Sequence, residues 1–408
     1  MNAAKVAYLH SSEWRSAPVD QQIEAYLGAL ELHAAASVET TYRRLKAKYA
    51  RELKALEKIV GAREEGDCSD DFYGAKNSSL DFSLLVGSAF RGPVHLQLMR
   101  WIATHQTPPR RLLDIGCENC LLTGFYALLW PATEIVAIDP AAKAVSRGKE
   151  LVAGLRLANV TVIHADLDGY RQQFPEARHD LVLTTLVLHE AKVFKPLQSS
   201  RHFAENAFAA DTPPIPPAFH QVSQILDGPD AAWIGAEEIT IPHLFWRWAL
   251  ALRAASLHVQ LERSVRLKAD TGHITVLRAG VRIISPFTPD QGFKFWTDHV
   301  RPSIADATPP IELSELGAYA VFTSIIPRTR VASAKLWMPG SPPGELEFER
   351  VELWVNESLA VFLRTDANCQ VHLRVEPRER LSELREEWEQ IVKKYENSGS
   401  HFESNIDA

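Results

Sequence analysis

The sequence predicts an α/β protein whose centre is a doubly wound, mostly parallel sheet of seven strands. A helical extension precedes this sheet and an α+β domain follows it. Between about residues 94 and 282, short β-branched runs alternate with stretches of helix length, which is typical of parallel βαβ units. The apolar spacing before this segment is that of helices, and prolines punctuate the chain after it. A chain of 408 residues has room for two or three domains.

The N-terminal region, residues 1–93, is predicted to be helical and to contain one loop. Ile23 and Leu27 begin a series of apolar residues that recurs every three or four positions to about residue 60, with charged residues between them. Residues 61–79 are polar and contain glycine, so we predict a loop there. We expect Tyr73 in this loop to fold, as part of a lid, over a site in the central domain.

Seven strands are predicted for the central domain, residues 94–282. Five of them alternate with helix-length segments and should lie parallel: Arg111–Ile115, Glu134–Ile138, Val160–His164, Leu181–Thr185 and Ala232–Ala236. The last two, Val259–Leu267 and His273–Arg278, are separated by five residues, too few for a crossover helix, so we predict an antiparallel hairpin. The proline-rich segment 195–218 is predicted to be an insertion over the carboxyl ends of the strands, with a passive surface loop as the alternative.

The C-terminal region, residues 283–408, is predicted to be a separate α+β domain of unknown role. Prolines separate two short predicted helices, Phe293–Val300 and Leu313–Phe322. Four strand-like runs and a final amphipathic helix follow: Val331–Leu336, Leu346–Trp354, Leu359–Leu363, Val371–Val375 and Arg378–Tyr395.

Composition and charge narrow the classes of partner. A net charge of −7 argues against a broad basic face, so a small-molecule substrate is predicted and no nucleic acid. No apolar run approaches the ~18 residues of a membrane span, so no membrane contact is predicted. Four cysteines do not make a disulfide framework, which favours a cytoplasmic location, and their spacing predicts no metal site. The oligomeric state stays open, a homodimer included.

Three consecutive predicted strands lead into an acid: Asp114 in the first, Asp139 after the second and Asp166 after the third. The carboxyl ends of parallel strands meet at one edge of a sheet, so these side chains should line one crevice, with Thr184 of the fourth strand beside them. Gly116 lets the backbone approach a ligand closely, and a carboxylate at the second strand can accept hydrogen bonds from both hydroxyls of a ribose. The sequence therefore predicts a nucleoside site.

These residues resemble the motifs of the class I S-adenosylmethionine-dependent methyltransferases over about residues 94–282. Asp114 to Cys117 are similar to the start of the family's first motif, Asp-x-Gly-x-Gly-x-Gly, which holds the methionine part of the cofactor. Asp139 matches the acid that binds the ribose hydroxyls, and Asp166 with Leu167 matches the acid that meets the adenine. The resemblance implies a Rossmann-like fold, a methyltransferase activity and S-adenosylmethionine as the cofactor. It implies these cofactor-binding residues: Asp114, Gly116, Cys117, Asn119, Asp139, Pro140, Asp166, Leu167 and Thr184.

The chain departs from this motif because Glu118 and Cys120 stand where the family usually has its second and third glycines. A side chain at position 118 can point outward if the turn avoids positive φ. The 23 positions from Gly116 to Asp139 also suit a NAD-binding Rossmann domain. A strand that ends in Asp-x-Gly, and the hairpin at the end of the sheet, favour the methyltransferase. Cys117 and Cys120 at a helix start also have the arrangement that lowers a thiol pKa in redox proteins, although small turn residues are the simpler reading.

The predicted reaction is methyl transfer to a nitrogen or oxygen atom of an acceptor, which the charge balance predicts to be a small molecule. The protein aligns this acceptor and removes a proton from it. His189, just past the fourth strand, is the predicted general base because its ordinary pKa lies near neutral pH, and Glu190 orients it or serves instead. Alternatively, His189 has a structural role and caps the end of the fourth strand. Two other functions stay open: a non-catalytic sensor or scaffold that retains the nucleoside pocket, and a methyltransferase that acts on proteins.

Overall fold

The computed structural model describes most of the chain in two compact units. The described residues are 2–33, 38–64, 71–188, 215–237, 239, 242–269, 272–287, 291, 295, 329–337, 347–357, 359–365, 371–398 and 401–406. One unit holds the described residues through position 286, except for the short stretch 242–247. The other unit holds that stretch and the described residues from 287 onward. The domain boundaries at 93/94 and 282/283 stay predictions.

The N-terminal region is built from helices: Ala3–Leu9 (α1), Ser12–Ser16 (α2), Val19–Ala29 (α3), Val38–Lys48 (α4), Ala50–Glu64 (α5), Phe72–Lys76 (α6) and Leu80–His105 (α7). The helices predicted for residues 20–60 are confirmed as α3, α4 and α5. The rings of Trp14 and Tyr26 pack against Phe125, and the Tyr26 hydroxyl donates to the carbonyl of Leu121 at 2.6 Å. The N-terminal helices therefore share a hydrophobic core with the central sheet.

The loop predicted for residues 61–79 is wrong in two places. Helix α5 continues to Glu64, and α6 makes Tyr73 helical rather than part of a loop. Asp71 caps α6, because its carboxylate accepts a hydrogen bond from the backbone N–H of Gly74 at 2.6 Å. A five-residue helix shows no apolar periodicity in the sequence, so its cap is the main local signal.

The central sheet begins with five parallel strands where the sequence predicts them: Arg111–Ile115 (β1), Glu134–Asp139 (β2), Val160–His164 (β3), Leu181–Thr185 (β4) and Ala232–Glu237 (β5). Their order across the sheet is β3-β2-β1-β4-β5. The chain moves outward from β1 to β3 and then returns to the other side of β1 at β4. The carboxyl ends of β1 and β4 therefore flank the switch point where doubly wound sheets bind ligands.

The predicted hairpin is confirmed, but the described part of this sheet has eight strands rather than seven. The predicted strand Val259–Leu267 is broken by a 3₁₀ turn, Leu261–Arg263, into His258–Val259 (β6) and Val265–Ala269 (β7). Both pieces pair antiparallel with Gly272–Gly280 (β8), which pairs antiparallel with β5. A 3₁₀ turn closes its own hydrogen bonds and so interrupts the ladder.

The connections between these strands carry further helices: Leu121–Leu129 (α8), Ala142–Gly154 (α9), Leu167–Gln173 (α10), Pro217–Ile225 (α11) and Pro242–Ala254 (α12). The predicted insertion 195–218 therefore ends in the first turn of α11. Pro217 is tolerated there because the first helical N–H has no partner within the helix. The rest of the insertion, through residue 214, lies outside the described residues.

The described part of the second unit contains an antiparallel sheet and a long helix: Thr329–Trp337 (β9), Glu347–Val355 (β10), Leu359–Thr365 (β11), Val371–Pro377 (β12), Phe402–Ile406 (β13) and Leu381–Glu396 (α13). The strand order is β12-β11-β10-β9-β13. The four predicted strands and the final helix are confirmed, while β13 was not predicted because only its two end residues are apolar. The predicted helices Phe293–Val300 and Leu313–Phe322 lie outside the described residues, apart from position 295.

Candidate functional site

The loop after β1 turns sharply at Gly116. Its φ is +73°, a left-handed value that favours glycine. The backbone N–H groups of Gly116 and Cys117 both donate to the carbonyl of Ile138 in β2, at 2.8 and 3.1 Å. A Cβ atom added at Gly116 would lie 2.2 Å from a methyl group of Val187, which follows β4. The loop therefore needs glycine here both for its conformation and for its close approach to the end of β4.

Asp139 at the end of β2 is held rigidly by the backbone. Its side chain is almost fully buried, and its two carboxylate oxygens accept hydrogen bonds from Glu118 N–H at 2.9 Å and Ala141 N–H at 2.8 Å. Burial raises the pKa of Asp139, and these two backbone donors oppose the shift. A carboxylate has about four acceptor positions, so two further hydrogen bonds can be accepted. The structure thus provides a fixed acceptor of the kind that a pair of hydroxyl groups requires.

Asp114 adds a second carboxyl group to the same end of the sheet. It is buried, and one oxygen accepts a hydrogen bond from the hydroxyl of Thr123 at 2.5 Å. Burial raises the pKa of Asp114 to about 6, with a smaller upward contribution from Asp139, while the bond to Thr123 lowers it. The carboxyls near the end of β1 therefore favour a ligand that carries positive charge or hydrogen-bond donors.

The two positions that replace the expected glycines both adopt left-handed backbone conformations. The φ angles are +49° at Glu118 and +61° at Cys120, so the turn does not avoid positive φ at Glu118. Gly148 of α9 makes room for one of the side chains, because a Cβ atom there would lie 2.7 Å from the sulfur of Cys120. The Glu118 side chain forms an ion pair with Lys76 of α6 at 2.8 Å.

Cys117 and Cys120 are buried free thiols. A hydrogen bond to Cys120, together with burial, raises the pKa of Cys117 well above its ordinary value. The raised pKa of the Cys117 thiol and its burial do not support the redox alternative, which requires a lowered thiol pKa. The two cysteines instead fill space in the turn.

A chain of buried hydrogen bonds fastens the start of α7 to the loop after β1. The side-chain amide of Asn119 donates to the Ser83 hydroxyl at 2.7 Å, and that hydroxyl donates to the side-chain oxygen of Asn77 at 2.7 Å. The side-chain oxygen of Asn119 accepts from the N–H of Leu121 at 3.0 Å. The side-chain nitrogen and oxygen of Asn119 are thus both hydrogen-bonded within the protein. Its contact with a cofactor stays a prediction.

Helix α6 also lies against the start of α9. The ammonium group of Lys143 donates to the carbonyl of Gly74 at 3.3 Å. With the pair between Lys76 and Glu118, this bond holds α6 beside the loop after β1. The contact of Tyr73 with a ligand stays a prediction.

The end of β3 differs from the ends of β1 and β2. Asp166 is exposed and caps α10, since its carboxylate accepts a hydrogen bond from the N–H of Gly169 at 2.7 Å. Leu167 is the first residue of that helix and is partly buried. The predicted contacts of both residues with an adenine ring stay predictions.

Pro140 and Thr184 are placed beside the same edge of the sheet. Pro140 is exposed after β2, and its carbonyl accepts a hydrogen bond from the His164 ring at 2.9 Å. Thr184 is buried in β4, and its hydroxyl oxygen accepts from the indole N–H of Trp233 at 3.1 Å. Their predicted contacts with a cofactor stay predictions as well.

The chain after β4 is described only as far as residue 188, so His189 and Glu190 lie outside the described residues. The last described part of this segment is bound to Glu237, a buried residue at the end of β5. One carboxylate oxygen of Glu237 accepts from the N–H groups of Val187 at 3.3 Å and Leu188 at 3.2 Å. Sequence reasoning missed Glu237 because the predicted strand ended at Ala236, although an acid after a buried strand was the available signal.

Within the described part of the chain, no group of three or more His, Cys, Asp or Glu residues is arranged to hold a metal ion. No helix of that part combines the length and the apolar character that crossing a bilayer would require.

Comparison with protein families identifies the central domain. Residues 112–205 match the family model described as a methyltransferase domain. The central part of this chain is a class I S-adenosylmethionine-dependent methyltransferase domain. The matched range includes the loop after β1, Asp139 and Asp166. The protein is therefore a methyltransferase, and its cofactor is S-adenosylmethionine. No curated protein sequence matches the chain.

Solved structures of methyltransferases resemble parts of this protein. Mitomycin 7-O-methyltransferase is 16% identical, with 62% of this chain and 74% of that chain covered and a TM-score of 0.40. Human N-acetylserotonin methyltransferase in complex with S-adenosylmethionine is 13% identical, with 60% and 70% covered and a TM-score of 0.34. A methyltransferase from Aquifex aeolicus is 17% identical, with 48% and 92% covered and a TM-score of 0.32. These likenesses are partial, so the family assignment depends on the family model and on the geometry of the strand ends.

The residues at the strand ends suit this cofactor. S-adenosylmethionine carries a ribose diol and a positively charged sulfonium group, and Asp139 and Asp114 offer a fixed acceptor and negative charge. The tight turn at Gly116 lets the backbone at the end of β1 lie close to Val187, which a residue with a Cβ atom would meet.

Proposed function

We propose that this methyltransferase transfers the methyl group of S-adenosylmethionine to a nitrogen or oxygen atom of a small-molecule acceptor. The observation that carries the proposal is the carboxylate of Asp139, fixed at the end of β2 by Glu118 N–H and Ala141 N–H with acceptor positions to spare. This geometry suits the two ribose hydroxyls of the cofactor. In this proposal the cofactor lies along the edge of the sheet, toward the end of β4.

In this proposal Asp139 binds the ribose, Asp114 and the loop Gly116–Cys117 lie beside the methionine part, and Asp166 with Leu167 meets the adenine. Asn119, Pro140 and Thr184 complete the proposed cofactor site. When bound, the cofactor supplies an activated methyl group, whose bond to sulfur breaks as the bond to the acceptor atom forms. The chain's own task is to align the acceptor, exclude water and receive the proton that the acceptor loses.

His189 is the proposed proton acceptor, with Glu190 to orient it or to act in its place. Both follow directly after Leu188, whose N–H is bound by Glu237. The buried carboxylate of Glu237 therefore holds the backbone up to Leu188, the residue before the proposed base. A histidine titrates near neutral pH, which suits proton removal under physiological conditions.

The net charge of −7 supports a small-molecule acceptor over a nucleic acid. The free thiols of Cys117 and Cys120 are compatible with the reducing cytoplasm, where we place the protein. A homodimer is compatible with the proposal but not required by it. Methylation of proteins, and a sensor that binds the cofactor without turnover, are the competing functions.

The test combines cofactor binding with methyl transfer. Calorimetric titration with S-adenosylmethionine and S-adenosylhomocysteine should give one site per chain, and a tritium-labelled methyl group should appear in a small molecule of an acceptor panel. Label in protein and none in small molecules would favour the protein-directed function. Tight binding without transfer to any acceptor would favour the sensor, and the absence of binding would contradict the proposal as a whole.

A further inference from the structure

A cavity of about 280 Å³, open to solvent, lies at the amino end of β5. Strand β8 runs antiparallel to β5, so the end of β8 meets the start of β5 there, with Gly280 opposite Ala232. The residues that line the cavity all belong to the unit that contains the central sheet. The volume is near the lower limit of pockets that hold small molecules. This edge of the sheet is the one opposite to the carboxyl ends of the parallel strands.

Arg278 of β8 brings a buried positive charge to the lining of this cavity. The residue is only 4% exposed. Its guanidinium group donates to the side-chain oxygen of Gln260 and to the backbone carbonyl of Asp230, the latter at 3.2 Å. Both acceptors are uncharged, and within the part of the chain that the structure describes no carboxylate forms an ion pair with Arg278. A buried charge without a counter-charge is costly, so the folded protein gains if an anion comes to this group.

The guanidinium group of Arg278 also has donors to spare. It carries five N–H groups, and the bonds to Gln260 and Asp230 use two of them. The Nε atom is buried and has no hydrogen-bond partner among the described residues. The unused donors belong to one planar group, which is the geometry that binds a carboxylate through two parallel hydrogen bonds.

The electrostatic surroundings of Arg278 show that its charge is not compensated. Burial lowers the pKa of Arg278 to about 10, and the charge of Arg263 lowers it as well, while Asp230 and Glu262 raise it. The group stays protonated near neutral pH. The two acids therefore offset only part of the cost of removing the guanidinium group from water.

The charges around the cavity indicate which anion suits it. Arg263 and Arg282 are exposed members of the lining, and so are the acids Asp230 and Glu262. With Arg278, the lining carries a net charge of one positive unit. One carboxylate balances this charge, whereas a doubly charged phosphate group would leave a negative excess beside the two acids.

The same lining offers an apolar surface for the rest of a ligand. Ile283 is 82% exposed, the largest exposed fraction among the large apolar residues that the structure describes, and Ile284 beside it is half-buried. Both line the cavity. An apolar body attached to the carboxylate would remove part of this surface from water.

We propose that this cavity is a second ligand site, which binds a small carboxylic acid through hydrogen bonds from the guanidinium group of Arg278 to the carboxylate. None of the residues in its lining belongs to the proposed cofactor site. The occupant is therefore a separate ligand, and the inference does not depend on the proposed function.

The first experiment compares three small probes on the full chain at pH 7.5, in a buffer of low chloride concentration. Saturation-transfer NMR titrations measure benzoate, the uncharged benzamide and the doubly charged phenyl phosphate. We expect benzoate to bind at least about 10-fold more tightly than benzamide, because its hydrogen bonds are charge-assisted, and more tightly than phenyl phosphate. Equal binding of benzoate and benzamide overturns the inference, and tighter binding of phenyl phosphate overturns the assignment to a carboxylate.

Variants of Arg278 test the group that carries the inference. Arg278→Met should weaken benzoate binding at least about 10-fold, and Arg278→Lys should restore part of it because the charge returns without the planar set of donors. The matched control is Arg253→Met, since Arg253 is exposed in the last turn of α12 and does not line the cavity. Circular dichroism and thermal melting check that each variant folds. Unchanged benzoate binding in folded Arg278→Met contradicts the proposed site.

Two exposed residues of the lining provide a test that does not depend on a buried substitution. Arg282→Gln removes a positive charge and should weaken benzoate binding about 2-fold, whereas Glu262→Gln removes a negative charge and should strengthen it by a similar factor. Added salt should reduce both effects. Changes of the same sign in the two variants, or none in either, would contradict the charge balance on which the carboxylate assignment depends.

A crystal of the full chain soaked with 4-bromobenzoate locates the probe directly. We expect the anomalous signal of bromine in the cavity beside Ile283 or Ile284, with the carboxylate about 2.7–2.9 Å from a guanidinium nitrogen of Arg278. A bromine signal at the carboxyl ends of the strands and none at Arg278 would overturn the inference.

Discussion

Each of the first three strands leads into an aspartate, but the three aspartates differ in burial. Those of β1 and β2 are buried, and the one after β3 is exposed. Asp114 and Asp139 are buried and hydrogen-bonded to residues of the loop and the adjoining helices. Asp166 is exposed and already accepts the N–H of Gly169 as a helix cap. A fixed, buried carboxylate strengthens the hydrogen bonds that it makes to a ligand, while an exposed one is screened by water. We therefore expect the ends of β1 and β2 to dominate cofactor affinity.

Gly116→Ala should have the largest effect. Positive φ costs about 1–2 kcal/mol in a residue with a Cβ atom, and crowding against Val187 costs about 1–3 kcal/mol more. We expect lower stability in urea and a loss of S-adenosylhomocysteine affinity of about 100-fold or more. The matched control is Gly28→Ala, where a Cβ atom meets nothing within 4 Å. Wild-type affinity in folded Gly116→Ala would show that the loop does not contact the cofactor.

Asp139→Ala should come next. Loss of a charge-assisted hydrogen bond costs about 1.5–3 kcal/mol, which corresponds to an increase of about 10- to 150-fold in the dissociation constant of S-adenosylhomocysteine. Calorimetry of the variant measures the change, and Asp227→Ala, an exposed acid after α11, serves as the control. An unchanged dissociation constant for Asp139→Ala would show that Asp139 does not bind the ribose.

Gly148→Ala tests how the turn accommodates Cys120. The added Cβ atom would lie 2.7 Å from the cysteine sulfur, and the clash should outweigh the gain in helix propensity by about 1–2 kcal/mol of unfolding free energy. Urea denaturation measures this difference. Cys120→Ala in the same chain should recover it, whereas equal destabilisation in both backgrounds would mean that the two residues are not coupled.

The pH dependence of binding tests the end of β1. Burial raises the pKa of Asp114 to about 6, so this carboxyl group is ionised at pH 7.5 and mostly protonated at pH 5. We expect the dissociation constant of cationic S-adenosylmethionine to rise by up to about 10-fold over this range, and Asp114→Asn to remove that part of the dependence. The same raised pKa favours folding most below the ordinary pKa of about 4, and this contribution is lost as the pH rises through 6. If the dissociation constant depends on pH in the same way in the wild type and in Asp114→Asn, Asp114 does not cause that dependence.

Asp166→Ala should have the smallest effect. The helix cap is worth about 1 kcal/mol of stability, and the contribution of an exposed carboxylate to cofactor affinity should stay below about 5-fold. Thermal melting and calorimetry measure the two quantities. A larger loss of affinity than in Asp139→Ala would reverse the ranking of the strand ends.

The sequence predicted the parallel strands and the placement of Asp114, Asp139 and Asp166, because buried strands and the acids that follow them are local patterns. It could not predict the contacts that fix the loop after β1. The bond from Asn119 to Ser83 joins residues 36 positions apart, and the pair of Lys76 with Glu118 depends on a helix too short to show periodicity.

The positive φ angles show a different limit of sequence reasoning. The sequence left the backbone conformation at Glu118 open, because a residue with a side chain adopts positive φ uncommonly but is able to do so. In the folded protein, Glu118 is bonded to Asp139 through its N–H and to Lys76 through its side chain, and Gly148 provides the space for the thiol of Cys120. Strand β13 was not predicted for a similar reason. Its pairing with β9 depends on contacts across the sheet and not on the pattern of its own residues.

The most direct test is a crystal structure of the protein with S-adenosylhomocysteine. We predict that the nucleoside lies at the ends of β1 and β2, with both ribose hydroxyls about 2.5–3.0 Å from the carboxylate of Asp139. A ribose bound elsewhere, or a nicotinamide nucleotide preferred in the same crevice, would contradict it.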